Sequence, residues 1–296
     1  MTYSKEKRMA SIKKEIGNAL AGIIQTAQEE QIKDNGDYLQ DGLIYCGKCD
    51  TPKECKISFL GAETIVPCLC KCGLKEREDT ERFIAEETRR VELQNRRGEC
   101  FDNSSLWNYT FEKCKIKDDP LYETCVKYAE NFEKMTEEGQ GLMFFGDVGN
   151  GKTYLAASIA NELLEKGYTC RMTNFATITM EMQDFKVNKA AYVRELMNND
   201  LLVIDDLASE RDTEFMNENV LNIINRRYQS RKPLIVTTNL TADELKNPKD
   251  ISKKRLYSRL MEMTIPISVH GKDMRREELK EKYNKFKELL HLPGKK

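Results

Sequence analysis

Apolar residues recur every three or four positions near the start of the chain, at Ile12, Ile16, Leu20, Ile23 and Ile24. This period predicts a helix over residues 1 to about 37, ended by turn chemistry at Asp34, Asn35, Gly36 and Asp37. Beyond residue 140 the pattern changes. Short apolar runs at 142–145, about 169–173, 201–205 and 233–237 read as buried strands, and helical periods fill 152–166, 176–186, 189–198, 213–230 and 241–247. Strands alternating with helices predict an α/β fold, a parallel sheet flanked by helices with its ligand at the carboxyl ends of the strands.

Two segments between these regions behave differently. Residues 56–60 and 64–66 are strand-like on either side of Gly61 and predict a hairpin. From Leu74 to Arg97 charged residues dominate, as expected of a solvated linking helix, and residues 104–137 lead into the sheet.

The first predicted strand (Leu142, Met143, Phe144, Phe145) runs into Gly146, Asp147, Val148, Gly149, Asn150, Gly151, Lys152 and Thr153. This is a complete GxxxxGKT phosphate loop, followed from Tyr154 by the first predicted helix. Its glycines let main-chain N–H groups curl around phosphates, and the helix turns its positive end toward them. Lys152 is expected to reach the β- and γ-phosphates of a nucleoside triphosphate, and the Thr153 hydroxyl to help hold Mg²⁺. Some fifty residues on, Leu201 to Ile204 lead into Asp205 and Asp206. A buried strand ending in two acids suits metal organisation by Asp205 and polarisation of the attacking water by Asp206.

Ten cysteines in a chain with no signal-peptide-like apolar segment argue for a reducing, cytoplasmic setting and against a disulfide scaffold. Six crowd between positions 46 and 72. Cys46 and Cys49 form a CxxC turn, and Cys68, Cys70 and Cys72 follow the predicted hairpin. Two clusters bracketing a hairpin fit a four-thiolate Zn²⁺ site of ribbon type. The expected ligands are Cys46, Cys49, Cys70 and Cys72, with Cys68 as alternate and Cys55 in reserve. The charged fraction is 33%, yet the net charge is −1, so any nucleic-acid contact must come from a local patch. No apolar run is long enough to span a membrane.

With these three features in place, the chain resembles the DnaC/DnaI family of replicative helicase loaders, in particular phage and prophage versions with an N-terminal zinc-binding region. The resemblance covers about residues 40 to 276 and is strongest over 140–260. It implies an AAA+ ATPase that uses ATP and Mg²⁺, binds single-stranded DNA, self-associates through AAA+ interfaces and grips a hexameric replicative DNA helicase with its N-terminal region. It also implies further residues. Val236, Thr237, Thr238 and Asn239 match the sensor-1 segment, with Asn239 the γ-phosphate or water contact and Thr238 second. Arg259 matches an arginine finger reaching a neighbour's ATP, helped by Arg255. Arg275 matches sensor 2, and Thr213, Phe215 and Phe185 match single-stranded DNA contacts. Tyr109, Thr110 and Phe111 are candidates for reading adenine. Glutamate commonly stands where this chain has Asp206, which implies slow hydrolysis.

The expected organisation is an N-terminal helix and cysteine-rich helicase-interaction domain over 1–73, a charged helical linker over 74–103, an AAA+ domain over 104–276 and an amphipathic helix and tail over 277–296. That short end (Leu279, Tyr283, Phe286, Leu289, Leu290) weighs against an origin-recognising initiator. Two other functions share the core: an IstB-type transposition-helper ATPase, and a non-hydrolysing adaptor switched by ATP.

Overall fold

The structure is a computed structural model that describes residues 36–59, 62–117, 119–184, 186–207, 214–248, 250–271 and 273–290. The helix expected over 1 to about 37 falls almost wholly outside the described residues, as do Phe185 and Thr213. The described residues divide into two compact units, one up to Arg89 and the other from Arg90 onward.

In the first unit, β1 (Tyr38–Gln40) pairs antiparallel with β2 (Leu43–Tyr45), and β3 (Glu54–Phe59) with β4 (Ala62–Pro67). The second pair is the hairpin expected around Gly61. Of the first unit's described apolar side chains up to Cys70, only Ile44, Cys46 and Cys70 are buried. Helix α1 (Lys71–Cys100) follows. It is solvated along most of its length, as its charge pattern predicts, but its final turns are not a linker. Leu93 and Cys100 pack into the core of the second unit, and Arg97 donates to Asn161 and Glu165 at 2.9 Å each.

The second unit is built on a five-stranded, wholly parallel sheet in the order β6-β7-β8-β5-β9. Its strands are β5 (Gly141–Phe145), β6 (Cys170–Asn174), β7 (Leu201–Leu207), β8 (Leu234–Thr238) and β9 (Thr264–Ser268). Successive residues point to opposite faces, and both faces are apolar. Leu142, Phe144, Leu201, Val203 and Ile235 meet α4 (Lys152–Glu165) together with α2 (Pro120–Glu130) and α3 (Phe132–Glu138). Met143, Leu202, Ile204, Leu234 and Val236 face α5 (Phe175–Gln183), α6 (Lys189–Asn198), α7 (Glu214–Ser230) and α9 (Ile251–Met263). The short α8 (Ala242–Lys246) and the last described helix, α10 (Met274–Leu289), complete the unit.

The sequence pattern missed three features. Residues 120–138 are two helices rather than a lead-in, the first started by Pro120 and capped by Asp119, whose carboxylate accepts from Leu121 N–H at 2.8 Å. Strand β9 contains Pro266, which argues against a central strand but is tolerated at the sheet edge that β9 occupies. The arginine-bearing segment 254–260 lies within α9.

Candidate functional site

Four chain segments reach the carboxyl edge of the sheet together, and each carries chemistry. β5 delivers the phosphate loop, β7 the two acids, β8 the Thr237–Asn239 segment, and β6 Asn174. Together with residues 102–116 they line a cleft of about 660 Å³.

Gly146, Gly149 and Gly151 hold φ of 129°, 90° and 87°, values that L side chains rarely adopt. Lys152 is buried, and its ammonium donates to the carbonyls of Gly146 (2.8 Å) and Asp147 (2.6 Å), so the charge sits inside the curl of the loop. Asn150 is buried as well and donates to the Val269 carbonyl at 3.1 Å, fixing the loop to the end of β9. Val148, Gly149, Asn150, Gly151, Lys152, Thr153 and Tyr154 all line the cleft. A Cβ on Gly149 would stand 2.2 Å from Oδ1 of Asp273, the residue before α10. Gly149→Ala therefore combines left-handed strain of about 1–2 kcal/mol with displacement of that carboxylate. We expect about a tenfold loss of affinity for a fluorescent ATP analogue, read by titration.

The acids are arranged with equal economy. Thr153 donates to Asp205, its hydroxyl lying 3.0 and 3.2 Å from the two carboxylate oxygens. A register shift between Ile204 and Leu207 interrupts the pairing of β7 with β8, and Asp206 takes φ 55° within it. Such bulges re-aim side chains beside active sites, and aspartate tolerates the left-handed region better than most residues. Asn239 donates to Asp206 at 2.9 Å. Thr238, the second candidate for the γ-phosphate or water contact, has a fully buried hydroxyl that donates to the Leu207 carbonyl at 2.8 Å. The strand's alternation turns Thr237 toward the acids instead.

At the other end of the cleft, Tyr109 stacks on Tyr154 with ring centroids 4.7 Å apart, and the Tyr154 hydroxyl donates to the Thr110 carbonyl at 2.9 Å. Phe111 is not available to a base: it is buried, edge-on to Tyr122. Asn161, which sequence reading passed over, donates to the carbonyls of Leu106 and Tyr109 at 2.9 Å each and ties this wall to α4. Nothing in its local sequence marks it out, because these two partners lie more than fifty residues away.

Arg259 lies on the exposed side of α9, 3.0 Å from Glu262 and 4.7 Å over the Tyr228 ring, and does not line the cleft of its own chain. Arg255 is also exposed. The side chains of Phe215 and Arg275 lie outside the described residues, although both positions fall in helices, α7 and α10.

In the first unit, the sulfurs of Cys46, Cys49, Cys70 and Cys72 all lie within 4.8 Å of one another. Four thiolates around zinc stand about 3.8 Å apart, from a metal–sulfur distance of roughly 2.3 Å in a tetrahedron, so this donor set fits the ion. The turn is tight. Cys46 N–H donates to Thr51 carbonyl and Asp50 N–H to Cys46 carbonyl, both at 2.9 Å, while Asp50 holds φ 52°. A Cβ on Gly47 would meet the Gly36 carbonyl at 1.9 Å. Asp37, buried and ion-paired with Lys53, accepts from Gly47 N–H at 3.1 Å. Cys70 and Cys72 flank the start of α1, whose N-terminus favours thiolates. A hydrogen bond with Thr51 draws the Cys49 thiol down to about 6, and its bond to Cys49 pushes Cys72 up to about 11. Cys68 is not in the group; its sulfur lies 3.6 Å from the Pro52 carbonyl.

Residues 75–282 match the family described as IstB-like ATP binding protein. The chain belongs to that family. Among individual relatives, it is 25% identical over 187 residues to the replicative helicase loader DnaI of Bacillus subtilis, covering 57% of this chain and 59% of DnaI. It is 28% identical over 142 residues to the replicative helicase loader DnaC of Escherichia coli K12, covering 47% of this chain and 58% of DnaC. The chain thus spans less than two thirds of the length of these curated relatives. A crystal structure of DnaI superposes with a TM-score of 0.50 at 22% identity, over 59% of this chain and 94% of that one, which shows the shared fold. This IstB-like chain therefore has the AAA+ P-loop fold and the ATP-binding site of its family, and the cysteine cluster lies outside the matched residues. No described helix is long and apolar enough to cross a membrane.

Proposed function

We propose that the protein is a cytoplasmic ATP-dependent loader of a hexameric replicative DNA helicase, binding ATP and single-stranded DNA during initiation of replication. The observation that carries this reading is the meeting of Lys152, Thr153, Asp205, Asp206 and Asn239 in one cleft. Relatives named as helicase loaders support the choice of partner. Lys152 contacts the β- and γ-phosphates, and the loop amides cradle them. Thr153 and Asp205 hold Mg²⁺, since Thr153 can give its proton to Asp205 and still offer its oxygen to a cation. The ion's part is to neutralise charge on the phosphates. Asp206, oriented by Asn239, polarises the attacking water, and hydrolysis is slow. Arg259, which does not line its own cleft, completes the ATP site of a neighbouring subunit, while Arg275 contacts the nucleotide of its own chain. Phe185, Thr213 and Phe215 touch single-stranded DNA.

Cys46, Cys49, Cys70 and Cys72 hold a structural Zn²⁺ with no open coordination position, and residues 1–73 form the helicase-binding part. An IstB-type transposition helper is the second reading, favoured by the description of the matched family. Placing the cysteine cluster outside that match favours the loader.

The deciding experiment mixes the full chain with a replicative helicase hexamer and measures complex formation, zinc content and helicase transfer onto circular single-stranded DNA with and without ATP. Co-purification and ATP-dependent transfer are expected. An ATP-dependent filament on duplex DNA without helicase capture would replace the reading with the second one. Lys152→Ala removes a charge-assisted contact worth about 1.5–3 kcal/mol, so nucleotide affinity should fall roughly 10- to 100-fold. Helicase capture should persist in that variant; its loss would overturn the division of labour between the two units. If ATP and DNA favour the same assembled state, each should tighten the other by an equal factor.

A further inference from the structure

We propose that Thr237 is a positioning residue that sets both acids of the cleft through one hydroxyl group. The proposal rests on the ATPase reading above and adds to it the element that keeps the two carboxylates in step.

The Thr237 hydroxyl lies 2.5 Å from Oδ1 of Asp205 and 2.9 Å from the main-chain nitrogen of Asp206. A hydroxyl has one proton to give. Asp205, a carboxylate, can only accept it, and the Asp206 N–H can only donate, so the roles are fixed: Thr237 donates to Asp205 and accepts from Asp206. Thr237 is 2% exposed, so water does not compete for either bond.

The consequences differ for the two acids. Asp205 is held from two sides, by Thr237 and by Thr153, which orients the carboxylate toward the phosphate loop. Asp206 sits in a left-handed conformation inside the β7 bulge, where its N–H has left the regular ladder to β8. The Thr237 hydroxyl replaces the missing ladder partner and keeps that strained backbone in place. With the backbone pinned, the Asp206 side chain meets Asn239 at 2.9 Å, the residue just past the end of the strand that carries Thr237. One residue of β8 thus links the metal-organising acid, the water-polarising acid and the sensor residue, so movement of β8 reaches both acids together.

The test uses the full chain with Thr237→Val, which keeps the branched shape and removes the hydroxyl, and Thr237→Ser, which restores it. Affinity for a fluorescent non-hydrolysable ATP analogue is measured in Mg²⁺ and in EDTA, beside single-turnover ATP hydrolysis. Thr237→Val should match the unmodified protein in EDTA and lose most of the affinity gained with Mg²⁺. Its bound ATP should be cleaved about 10- to 100-fold more slowly, as a misplaced catalytic group predicts. Thr237→Ser should recover both. A Val variant with normal Mg²⁺ gain and normal rate overturns the proposal, even if its melting temperature falls, because that pattern belongs to a merely structural contact. If the Val variant does not fold, Thr237→Ala takes its place. If the unmodified protein cleaves no ATP with DNA and helicase present, the ATPase reading fails, and the Mg²⁺ comparison still decides the role of Thr237.

Discussion

Replacing Cys46 and Cys49 together by serine is expected to unfold residues 36–69 while leaving nucleotide affinity within twofold of the unmodified protein. The reason lies in what this segment lacks. Two short hairpins with only Ile44, Cys46 and Cys70 buried among their described apolar side chains cannot offset the entropy of ordering the chain. Segments of this size hold a fold by staples, and four sulfurs within 4.8 Å of one another supply the donors for one. Binding energy at such sites, of the order of 10–16 kcal/mol at neutral pH, is folding energy. Serine is too weak a donor to replace a thiolate, and losing two of four ligands opens the site. The measurement is zinc release to a chromophoric chelator, followed by amide NMR or limited proteolysis of the full chain. Cleavage should concentrate between residues 36 and 69, and the phosphate loop, in the other compact unit, should titrate normally. A double mutant that keeps its amide spectrum in this segment, or unmodified protein free of zinc, would sink the prediction.

The parts of the site that were legible in the sequence are those whose partners are close along the chain or whose spacing is imposed by the ligand. A phosphate loop must place glycines, lysine and threonine within eight positions, because a triphosphate is small and main-chain amides must surround it. A buried strand ending in two acids is likewise a local pattern. Thr237 escaped notice because its importance comes from a bulge in the neighbouring strand, and bulges leave little trace in a period-two pattern. Thr238, its neighbour, carries the same side chain, and only the alternation of β8 shows that it faces the Leu207 carbonyl while Thr237 faces the acids. Strand β9 was hidden by Pro266, whose missing N–H matters only if the strand is central. The closing turns of α1 look solvated by composition, but Leu93 and Cys100 are enough to seat them. In each case the information lies in contacts dozens of residues apart, which one sequence does not display.

Arg227 is the extreme of that class, and Arg227→Ala is expected to destabilise the second unit by about 3–5 kcal/mol. The side chain is 0% exposed, and charged groups are almost never fully buried without partners. Its five donors are spent on main-chain carbonyls: Pro233 at 3.1 and 2.7 Å, Asn199 at 2.8 Å, Asp200 at 2.7 Å and Met197 at 3.4 Å. These carbonyls belong to the end of α6, to the turn that enters β7 and to the residue before β8, so one guanidinium ties together the amino ends of two central strands. Burial lowers its pKa to about 10, which still leaves the group charged at neutral pH. Alanine strands the carbonyls in a space that water reaches poorly, and lysine cannot reproduce the planar fork. For a unit of this size the loss corresponds to roughly 10 °C or more in melting temperature, read by calorimetry. The clamp lies at the opposite end of the strands from Asp205 and Thr237. Below its melting temperature the variant should therefore bind the ATP analogue with near-normal affinity. A variant that melts normally would show that the buried fork contributes nothing, and one that is stable but cannot bind nucleotide would show that strain at the amino edge is transmitted along β7 and β8 to the cleft.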